Sequence, residues 1–420
     1  MIVELNGRYE LSEAIPRNLC TDCGLSRTRQ PQRCGKACQF IHPNYSKLEI
    51  QVHGRERDSA HGDELFFGPY IKMHQAWAKV PTDGAQWSGL TTKLAEKLLD
   101  SDKVEAILTV TSDPLDIWRP VPTLITSVEQ LKRARGMRMG YAPLLALLEP
   151  AYAQGIRRIA VIGIPCQVYA LRSIETELEF ERILVIGTPC SDNTTTENFH
   201  RFLARLTDHP EDVTYLEFRT DYKVELRFKD GRQSEIPFLK LPLSDLPNDF
   251  FPLTCRTCVD YTNVLSDITI GYMAGDGEQW VIVRNSRGDE IFDLLRSEAH
   301  VKSLTSRGRR FGAVKGFIGN VERAAGGLPV RKMPDWLRPL MAWLQPIIGP
   351  RGLEFARARI EMKAAESVLH LRMQSPKRSK YMLPDFIWKL VAPYGIQPDS
   401  KTEVLQDDFD RAAEKHDSRA

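Results

Sequence analysis

The alternation of apolar and polar positions predicts a mixed α/β protein. Residues 159–164 and 183–187 are short apolar runs rich in β-branched side chains, and residues 168–178 between them have helical spacing. Two buried strands joined by one helix predict a right-handed βαβ unit with parallel strands. Each strand ends in Gly-x-Pro-Cys. Neighbouring strands lie about 5 Å apart, so Cys166 and Cys190 are expected side by side at the edge where open α/β sheets bind ligands.

The same patterns predict further elements on both sides of this unit. The predicted helices are Phe67–Lys79, Leu90–Leu99, Pro143–Ala153 and Thr196–Leu206. The predicted strands are Val104–Val110, a hairpin of Val213–Phe218 and Lys223–Phe228, and the pair Asp267–Tyr272 and Val281–Asn285.

The last hundred residues are predicted to be mainly helical. One apolar stripe at helical spacing indicates a core or subunit contact, and it comprises Leu353, Ala356, Ile360, Ala364, Val368 and Leu371. The basic residues between them are expected in solvent, namely Arg357, Arg359, Lys363 and Arg372. The apolar stretch 336–348, which Arg338, Pro339 and Pro346 interrupt, favours a packed helix pair over a position on a membrane surface.

Length and pattern together divide the 420 residues into five parts. We expect a cysteine-rich, loop-rich region at 1–60, an α/β domain at 61–155, a second α/β domain at 156–330, a helical extension at 331–398 and a disordered tail at 399–420. The expected fold class is α/β, with mixed, mostly parallel sheet domains between the cysteine-rich region and the helical extension.

Charge and hydropathy exclude several function classes. The net charge is +2 and no basic face dominates, which argues against nucleic acid as the main partner. Residues 1–16 lack the apolar core of a signal peptide, and no stretch has the apolar length of a membrane span. We therefore expect a cytoplasmic protein, with a peripheral position at photosynthetic membranes as a further option once the family resemblance below is considered. Oligomeric state is not readable from the sequence, and a homo-oligomer stays open.

Eight cysteines fall into two sets, and a chain of this size does not need disulfides, so both sets indicate metal binding. The first set is Cys20, Cys23, Cys34 and Cys38, and it begins with C-x-x-C-G. Four thiolates suit zinc or a 4Fe–4S cluster, and this spacing does not decide between them. The second set is Cys166, Cys190, Cys255 and Cys258. It converges from three segments, which fits a buried cluster better than a zinc ribbon.

Iron–sulfur chemistry implies a further cofactor. A 4Fe–4S cluster transfers one electron at a time, whereas hydrogenation of an organic bond needs two, and a flavin is the common converter. Glycine-containing loops at 84–89 and 136–141 precede predicted helices and could anchor its phosphates. G-x-G-x-x-G is absent, so a small redox protein is the expected electron source rather than a nicotinamide.

Several motifs resemble the family formed by the beta subunits of deazaflavin-coenzyme hydrogenases and dehydrogenases. They are the run 163–172 (GIPCQVYALR), Gly187-Thr188-Pro189-Cys190 and Cys255-x-x-Cys258-x-Asp260-Tyr261. The chlorophyll-metabolism branch is the closer match, through residues 52–55 (VHGR), 84–87 (GAQW), 112–114 (SDP), 260–263 (DYTN), 271–273 (GYM) and 349–357 (GPRGLEFAR). The resemblance covers about residues 19–394.

The resemblance implies FAD, two 4Fe–4S clusters held by the eight cysteines, reduced ferredoxin as donor and a tetrapyrrole substrate. In that branch, electrons pass through the clusters to FAD and then as hydride to the substrate. The N-terminal cysteine motif resembles enzymes that reduce the 8-vinyl group of 3,8-divinyl (proto)chlorophyllide to ethyl, for chlorophyll or bacteriochlorophyll biosynthesis. The alternatives are 7-hydroxymethyl chlorophyll a reduction, another deazaflavin- or ferredoxin-linked flavin oxidoreductase, and a zinc-binding scaffold without redox activity.

We assign candidate residues on these grounds. Cofactor contacts are predicted for Gly84, Gln86, Trp87, Ser88, Gly89, Ser112, Asp113, Arg138, Tyr141, Gln167, Asn193 and Asn263. Candidate proton donors are Asp192, Asp260 and Tyr261, which flank the cysteines, although a supporting role beside the ligands is the alternative. Two features depart from the plant-type enzymes: Ser26 replaces a third N-terminal cysteine, which leaves Cys34 to supply that thiolate, and the segment between Met273 and Trp280 is shorter.

Overall fold

The computed structural model describes residues 4–5, 8–9, 20–41, 43–219, 221–247, 249–273, 277–306, 308, 311–399 and 403. Its strands are β1 Glu4–Leu5, β2 Arg8–Tyr9, β3 Lys72–Ala78, β4 Ala106–Ser112, β5 Pro120–Ile125, β6 Arg158–Gly163, β7 Arg182–Gly187, β8 Val213–Phe218, β9 Lys223–Phe228, β10 Gln233–Pro237, β11 Ile268–Tyr272, β12 Gln279–Val283 and β13 Ala299–Ser303.

The α-helices follow the same chain order. They are α1 Arg33–Lys36, α2 Tyr45–His53, α3 Glu64–Phe67, α4 Leu90–Asp100, α5 Val128–Leu131, α6 Leu148–Ala153, α7 Pro165–Ile174, α8 Thr196–Leu203, α9 Leu253–Arg256, α10 Ser286–Asp293, α11 Phe311–Ala325, α12 Arg338–Ile348, α13 Leu353–Gln374, α14 Pro376–Met382 and α15 Asp385–Val391.

One eight-stranded mixed sheet organises the chain, in the order β13-β3-β12-β11-β7-β6-β4-β5. Its four central strands β11, β7, β6 and β4 run parallel, and antiparallel strands complete both sides. Strands from the stretches 61–155 and 156–330 therefore share this sheet. A separate three-stranded sheet contains the predicted hairpin β8–β9 together with β10.

The predicted βαβ unit is confirmed. Strands β6 and β7 pair in parallel from Arg158 opposite Arg182 to Gly163 opposite Gly187. The connecting helix α7 begins with Pro165, whose fixed φ and missing N–H suit the first turn of a helix. Both Gly-x-Pro-Cys turns therefore leave the sheet at the same edge.

Helices cover both faces of the large sheet, as its continuous apolar strands require. On one face, Leu94 of α4 and Phe292 of α10 pack on the parallel strands. On the other face, α7 packs on β4, β6 and β7, while α13 packs over Met73, Trp280 and Ile282 of β3 and β12. The predicted apolar stripe of α13 is confirmed as core, because all six residues are buried.

Several predictions were wrong, for reasons that lie in tertiary pairing. Most of the predicted helix 67–79 is strand β3, because β12 and β13 pair with it on both sides. Arg357 and Lys363 are buried rather than solvated. Stretch 336–348 forms α12 without a helix partner: its main contact is the turn 238–240, and none of its residues is buried. Nearly all of the predicted tail 399–420 lies outside the described residues.

Candidate functional site

The two Gly-x-Pro-Cys turns are held together by one buried amide. Asn263 is fully buried, and its Nδ2 donates to the carbonyl oxygen of Gly163 at 2.8 Å and to that of Thr188 at 3.3 Å. The backbone N–H of Cys190 donates to the carbonyl oxygen of Tyr261 at 3.0 Å. The C-x-x-C segment is therefore fixed to both turns, and the predicted cofactor residue Asn263 acts as a clamp within the protein.

The first cysteine set lies against the same edge of the sheet. The hydroxyl of Thr21 contacts Cys166 Sγ at 3.6 Å, and the amide of Gln39 contacts Cys258 Sγ at 3.6 Å. Each contact joins a residue next to an N-terminal cysteine with a thiol of the second set. All four segments that carry cysteines therefore meet in one region.

Cys166 occupies the position between the two sets. It is close enough to Cys20, Cys23 and Cys38 to raise the pKa of a thiol there or to be raised by one, and it has the same effect on Cys190, Cys255 and Cys258. The backbone N–H of Asn193 donates to the Cys255 sulfur, which brings the second Gly-x-Pro-Cys turn onto the C-x-x-C loop.

The spacing of the sulfur atoms distinguishes two kinds of metal site. A tetrahedral zinc site with Zn–S bonds of 2.3 Å brings its sulfurs to about 3.8 Å from one another. Among the residues that the structure describes, no group of three cysteine sulfurs lies within 4.8 Å of one another. The thiols are thus close neighbours but more widely spaced than zinc ligands, which is the arrangement that a larger inorganic core requires.

Burial makes these thiols weak acids. It raises the pKa of Cys166 and Cys38 to about 11 and that of Cys258 to about 12. Thiolates are the ligand form, so a bound cationic centre must offset this desolvation. N–H donors already face several sulfurs, among them the backbone of Asp22, which donates to Cys20 Sγ at 3.2 Å.

Helix α13 closes the site over the second C-x-x-C loop. Lys363 Nζ donates to the carbonyl oxygen of Cys255 at 2.6 Å, and Ser367 Oγ donates to that of Cys258 at 2.9 Å. The two side chains are four residues apart and therefore share one helix face. Lys363 also contacts Asp192 at 2.8 Å, and Asp192 and Glu366 outweigh its burial, so its pKa lies above the ordinary value.

The three candidate proton donors have different surroundings. Asp192 is engaged by Lys363 and lies 3.9 Å from Arg359. Both oxygens of Asp260 accept from the backbone N–H of Val264, at 3.2 and 3.1 Å, so this carboxylate closes the turn 260–264. Tyr261 is buried between Cys190 and Arg359, and burial raises its pKa to about 12.

An aromatic pocket lies beyond Tyr261. The Tyr272 ring stacks on Trp87, with centroids 5.4 Å apart and an interplanar angle of 17°, and it also contacts Phe355. Together with Tyr222 and Arg351, the residues Tyr272 and Phe355 line a cavity of about 230 Å³. The predicted cofactor loop at Trp87 therefore forms one side of an aromatic cluster near the cysteines.

Part of the predicted phosphate loop is occupied by internal contacts. The Trp87 N–H donates to Glu217 at 2.8 Å, and both Ser88 Oγ and the backbone N–H of Leu90 donate to Gln279 Oε1 at 3.2 Å. Gly84 has a φ of 71° and faces open space, whereas Gln86 contributes its carbonyl oxygen as acceptor for the Gly89 N–H at 3.1 Å. Gly89 allows its positive φ of 80° beside Thr82.

Arg138 joins the remaining predicted flavin residues. Its Nε donates to Ser112 Oγ at 2.9 Å, its other contacts are carbonyl oxygens, and burial lowers its pKa to about 10. It forms no ion pair within the described part of the chain, and two of its five donors are not used by these bonds. Asp113 Oδ1 caps its own loop by accepting from Leu115 N–H at 2.8 Å.

Three further predicted residues connect loops around the cysteines. Gln167 donates to the carbonyl oxygen of Ala142 at 3.0 Å, and Asn193 donates to that of Gly140 at 2.8 Å. Tyr141, between these two acceptors, lies near Cys255, Cys20 and Cys166, and burial raises its pKa. Gln167 and Asn193 thus hold the 140–142 loop beside the sulfur atoms.

Sequence reasoning missed Thr21, Gln39, Lys363 and Ser367 as residues of the site. Gln39 directly follows Cys38, and Lys363 borders the apolar stripe of α13 between Ile360 and Ala364, so both positions carried a usable signal. Thr21 and Ser367 carried none, because their contacts depend on how distant segments pack.

Two family models match the chain. They are described as coenzyme F420 hydrogenase/dehydrogenase beta subunit, N-terminal part over residues 73–149 and C-terminal part over residues 156–306. The chain belongs to this family.

Relatives of this family member match it beyond those ranges. It is 34% identical to 7-hydroxymethyl chlorophyll a reductase, chloroplastic, of Oryza sativa subsp. japonica, over 92% of this chain and 86% of the relative. An uncharacterized Nostoc protein is 33% identical over 90% and 94%, respectively. One of the subunits of the F(420)H(2) dehydrogenase from Methanosarcina mazei is 30% identical over 70% and 86%. These relatives support an oxidoreductase.

A solved structure supports the fold of this family member. A chain of the F420-reducing [NiFe] hydrogenase complex from Methanosarcina barkeri superimposes with a TM-score of 0.51 and 19% identity. The match covers 66% of this chain and 98% of that one. At this identity the likeness concerns the architecture alone.

Proposed function

We propose that this protein is an iron–sulfur flavoprotein that uses reduced ferredoxin to reduce the 8-vinyl group of 3,8-divinyl (proto)chlorophyllide to ethyl. The observation that carries the proposal is the convergence of eight cysteines beside an aromatic pocket, in a chain related over most of its length to a chlorophyll reductase. The N-terminal motif, Cys20 to Ser26, supports the vinyl substrate.

The residues present fit two 4Fe–4S clusters and a flavin. The sulfur atoms are more widely spaced than zinc requires, and Arg138 offers a buried cation with spare donors for a phosphate. When bound, the clusters supply single electrons and FAD converts them into a two-electron hydride donor. Trp87 and Tyr272 would hold flat rings against the pocket, and Phe355 would exclude water there.

Vinyl reduction adds one hydride and one proton across the carbon–carbon double bond. Asp192 is held by Lys363, and Asp260 by the Val264 backbone, so we propose the hydroxyl of Tyr261 as the proton source. Tyr261→Phe should lower turnover about 100-fold while iron and flavin contents stay unchanged. Equal loss of cofactor and activity would assign Tyr261 a packing role instead.

The decisive experiment is anaerobic purification followed by iron, sulfide and flavin analysis and by parallel assays with reduced ferredoxin. We expect about eight iron atoms and one FAD per chain, and loss of the divinyl absorbance. The second candidate is 7-hydroxymethyl chlorophyll a reduction, which the Oryza relative favours. Turnover of that pigment alone would replace the proposed substrate, and colourless protein that contains zinc would refute the redox proposal.

The first cluster allows a matched test within the chain. Cys34→Ser should reduce the iron content by about half, because one of four ligands of the first cluster is lost. Ser26→Cys in the same chain places a thiol at the position of the plant-type third cysteine and should restore part of that iron. Unchanged iron in Cys34→Ser would exclude Cys34 as a ligand.

A further inference from the structure

Helix α12 presents its apolar side to solvent. Trp336 just before it and Leu340, Trp343 and Ile347 within it are spaced by four, three and four residues, so they share one helix face. Their exposed fractions are 79%, 51%, 66% and 63%. Arg338 and Gln345 are less exposed than these residues. This is the reverse of a helix that packs its apolar side onto a core.

The surroundings of this face are basic. Residues 302–351 contain ten Lys and Arg against two Asp and Glu, a net charge of +8, whereas the whole chain carries +2. In the described part, Arg331 and Lys332 before α12 and Arg351 after it are exposed. The remaining residues of the chain are therefore net negative, and the positive charge is concentrated around the exposed apolar face.

We propose that α12 docks the protein onto an anionic membrane surface, with its axis in the plane of the interface. Apolar side chains that include two tryptophans suit the boundary between headgroups and acyl chains, and flanking cations attract anionic lipids. No helix among the described residues is long and apolar enough to cross a membrane. A second copy of the chain is disfavoured, because an isologous contact would bring two basic surfaces together.

The position of α12 relative to the aromatic pocket gives this contact a use. Gly349 ends the helix, and the next residues, Pro350 to Gly352, line the pocket beside Tyr222 and Phe355. The Tyr222 hydroxyl donates to the carbonyl oxygen of Pro350, which fixes the helix end to the pocket wall. A docked α12 therefore places the pocket mouth close to the lipid, and an apolar pigment could enter from the bilayer; this last point rests on the proposed function.

The experiment is vesicle flotation of the purified full chain without substrate. We compare vesicles of phosphatidylcholine with vesicles of phosphatidylcholine and phosphatidylglycerol, at low and high salt. The protein should float with the anionic vesicles and be released by salt, because the flanking charges are screened. Ile347→Asp should lower the partition coefficient about tenfold or more.

Ile50→Asp is the matched control, since Ile50 on α2 is 50% exposed outside the basic segment, and it should bind like the wild type. A conservative variant guards against misfolding: Trp343→Phe should bind and lose part of the fluorescence quenching by brominated lipid. Absence of flotation, equal binding to both vesicle types, or equal loss in both aspartate variants would overturn the proposal. So would a wild-type oligomer that Ile347→Asp dissociates and that does not bind vesicles.

Because the assay contains neither pigment nor ferredoxin, its outcome is independent of the proposed reaction. A protein that binds vesicles but reduces no tetrapyrrole would keep the docking surface and refute only the function.

Discussion

The twin glycines of the Gly-x-Pro-Cys turns offer a matched pair of substitutions with opposite outcomes. A Cβ at Gly187 would lie 2.7 Å from both Cβ and Oγ of Ser266 and 2.8 Å from Cγ of Asn263. A Cβ at Gly163 would meet its nearest neighbours, side-chain atoms of Gln167 and Val168, at 3.4 Å, which is ordinary contact. The two positions face each other in the register of β6 and β7, so their backbone setting is the same.

The residues around Gly187 cannot move cheaply. Ser266 Oγ donates to the carbonyl oxygen of Asn263 at 2.9 Å and contacts Thr269 Oγ1 at 2.8 Å, and Asn263 clamps both turns. Overpacking of this kind costs about 1–3 kcal/mol, and each displaced hydrogen bond adds about 1 kcal/mol. Gly187→Ala should therefore lower the free energy of unfolding by about 3 kcal/mol, and Gly163→Ala should change it by less than about 1 kcal/mol.

Denaturant unfolding of both variants, with iron content measured on the same preparations, tests this expectation. Gly187→Ala should also lose iron, because displacement of Asn263 separates Cys190 from the C-x-x-C loop. Equal stability of the two variants, or a more damaging Gly163→Ala, would refute the reasoning from the 263–269 contacts.

Three further predictions concern charge and burial. Lys363→Met should cost about 3–5 kcal/mol in denaturant unfolding, because Asp192 loses its buried cation, and Lys363→Arg should retain most of the stability. Burial lowers the pKa of His53 to about 3, and its Nε2 contacts the carbonyl oxygen of Val264 at 2.8 Å. Between pH 6.5 and 3 the unfolded chain binds a proton that the folded chain does not, so this contribution to stability is complete above pH 6.5 and falls with pH. It should shrink by about 1.4 kcal/mol per pH unit in a titration of unfolding, and a flat profile would contradict this. Arg138→Gln should lower the flavin-to-protein ratio about tenfold, with Arg138→Lys intermediate, and unchanged flavin in both would exclude Arg138 from the phosphate site.

The local part of the fold was predictable from the sequence. The βαβ unit, the hairpin β8–β9 and the stripe of α13 follow from periodicity over a short window, and the structure contains all three. Strand β3 was predicted as a helix because its pairing partners β12 and β13 come about two hundred residues later. Periodicity within one segment carries no information about such pairing.

The site shows the same limit. The eight cysteines were visible as thiol pairs, and their gathering at one sheet edge follows from parallel strands. The position of Cys166 between the two sets depends on the path of residues 20–41, whose loops have no periodicity. Lys363 was expected in solvent because charge usually indicates exposure, whereas a buried carboxylate and a carbonyl oxygen hold it inside. Only the packing of α13 supplies these partners.

The closure of the cysteine loops by α13 has a consequence for biogenesis. The N-terminal thiols leave the ribosome first, yet Lys363 and Ser367, which fasten the loops of Cys255 and Cys258, are among the last residues synthesised. The second metal pocket cannot be sealed during translation until almost the whole polypeptide has emerged. Maturation factors that deliver iron and sulfide would therefore meet an open cradle, and the C-terminal helix would close it only after loading.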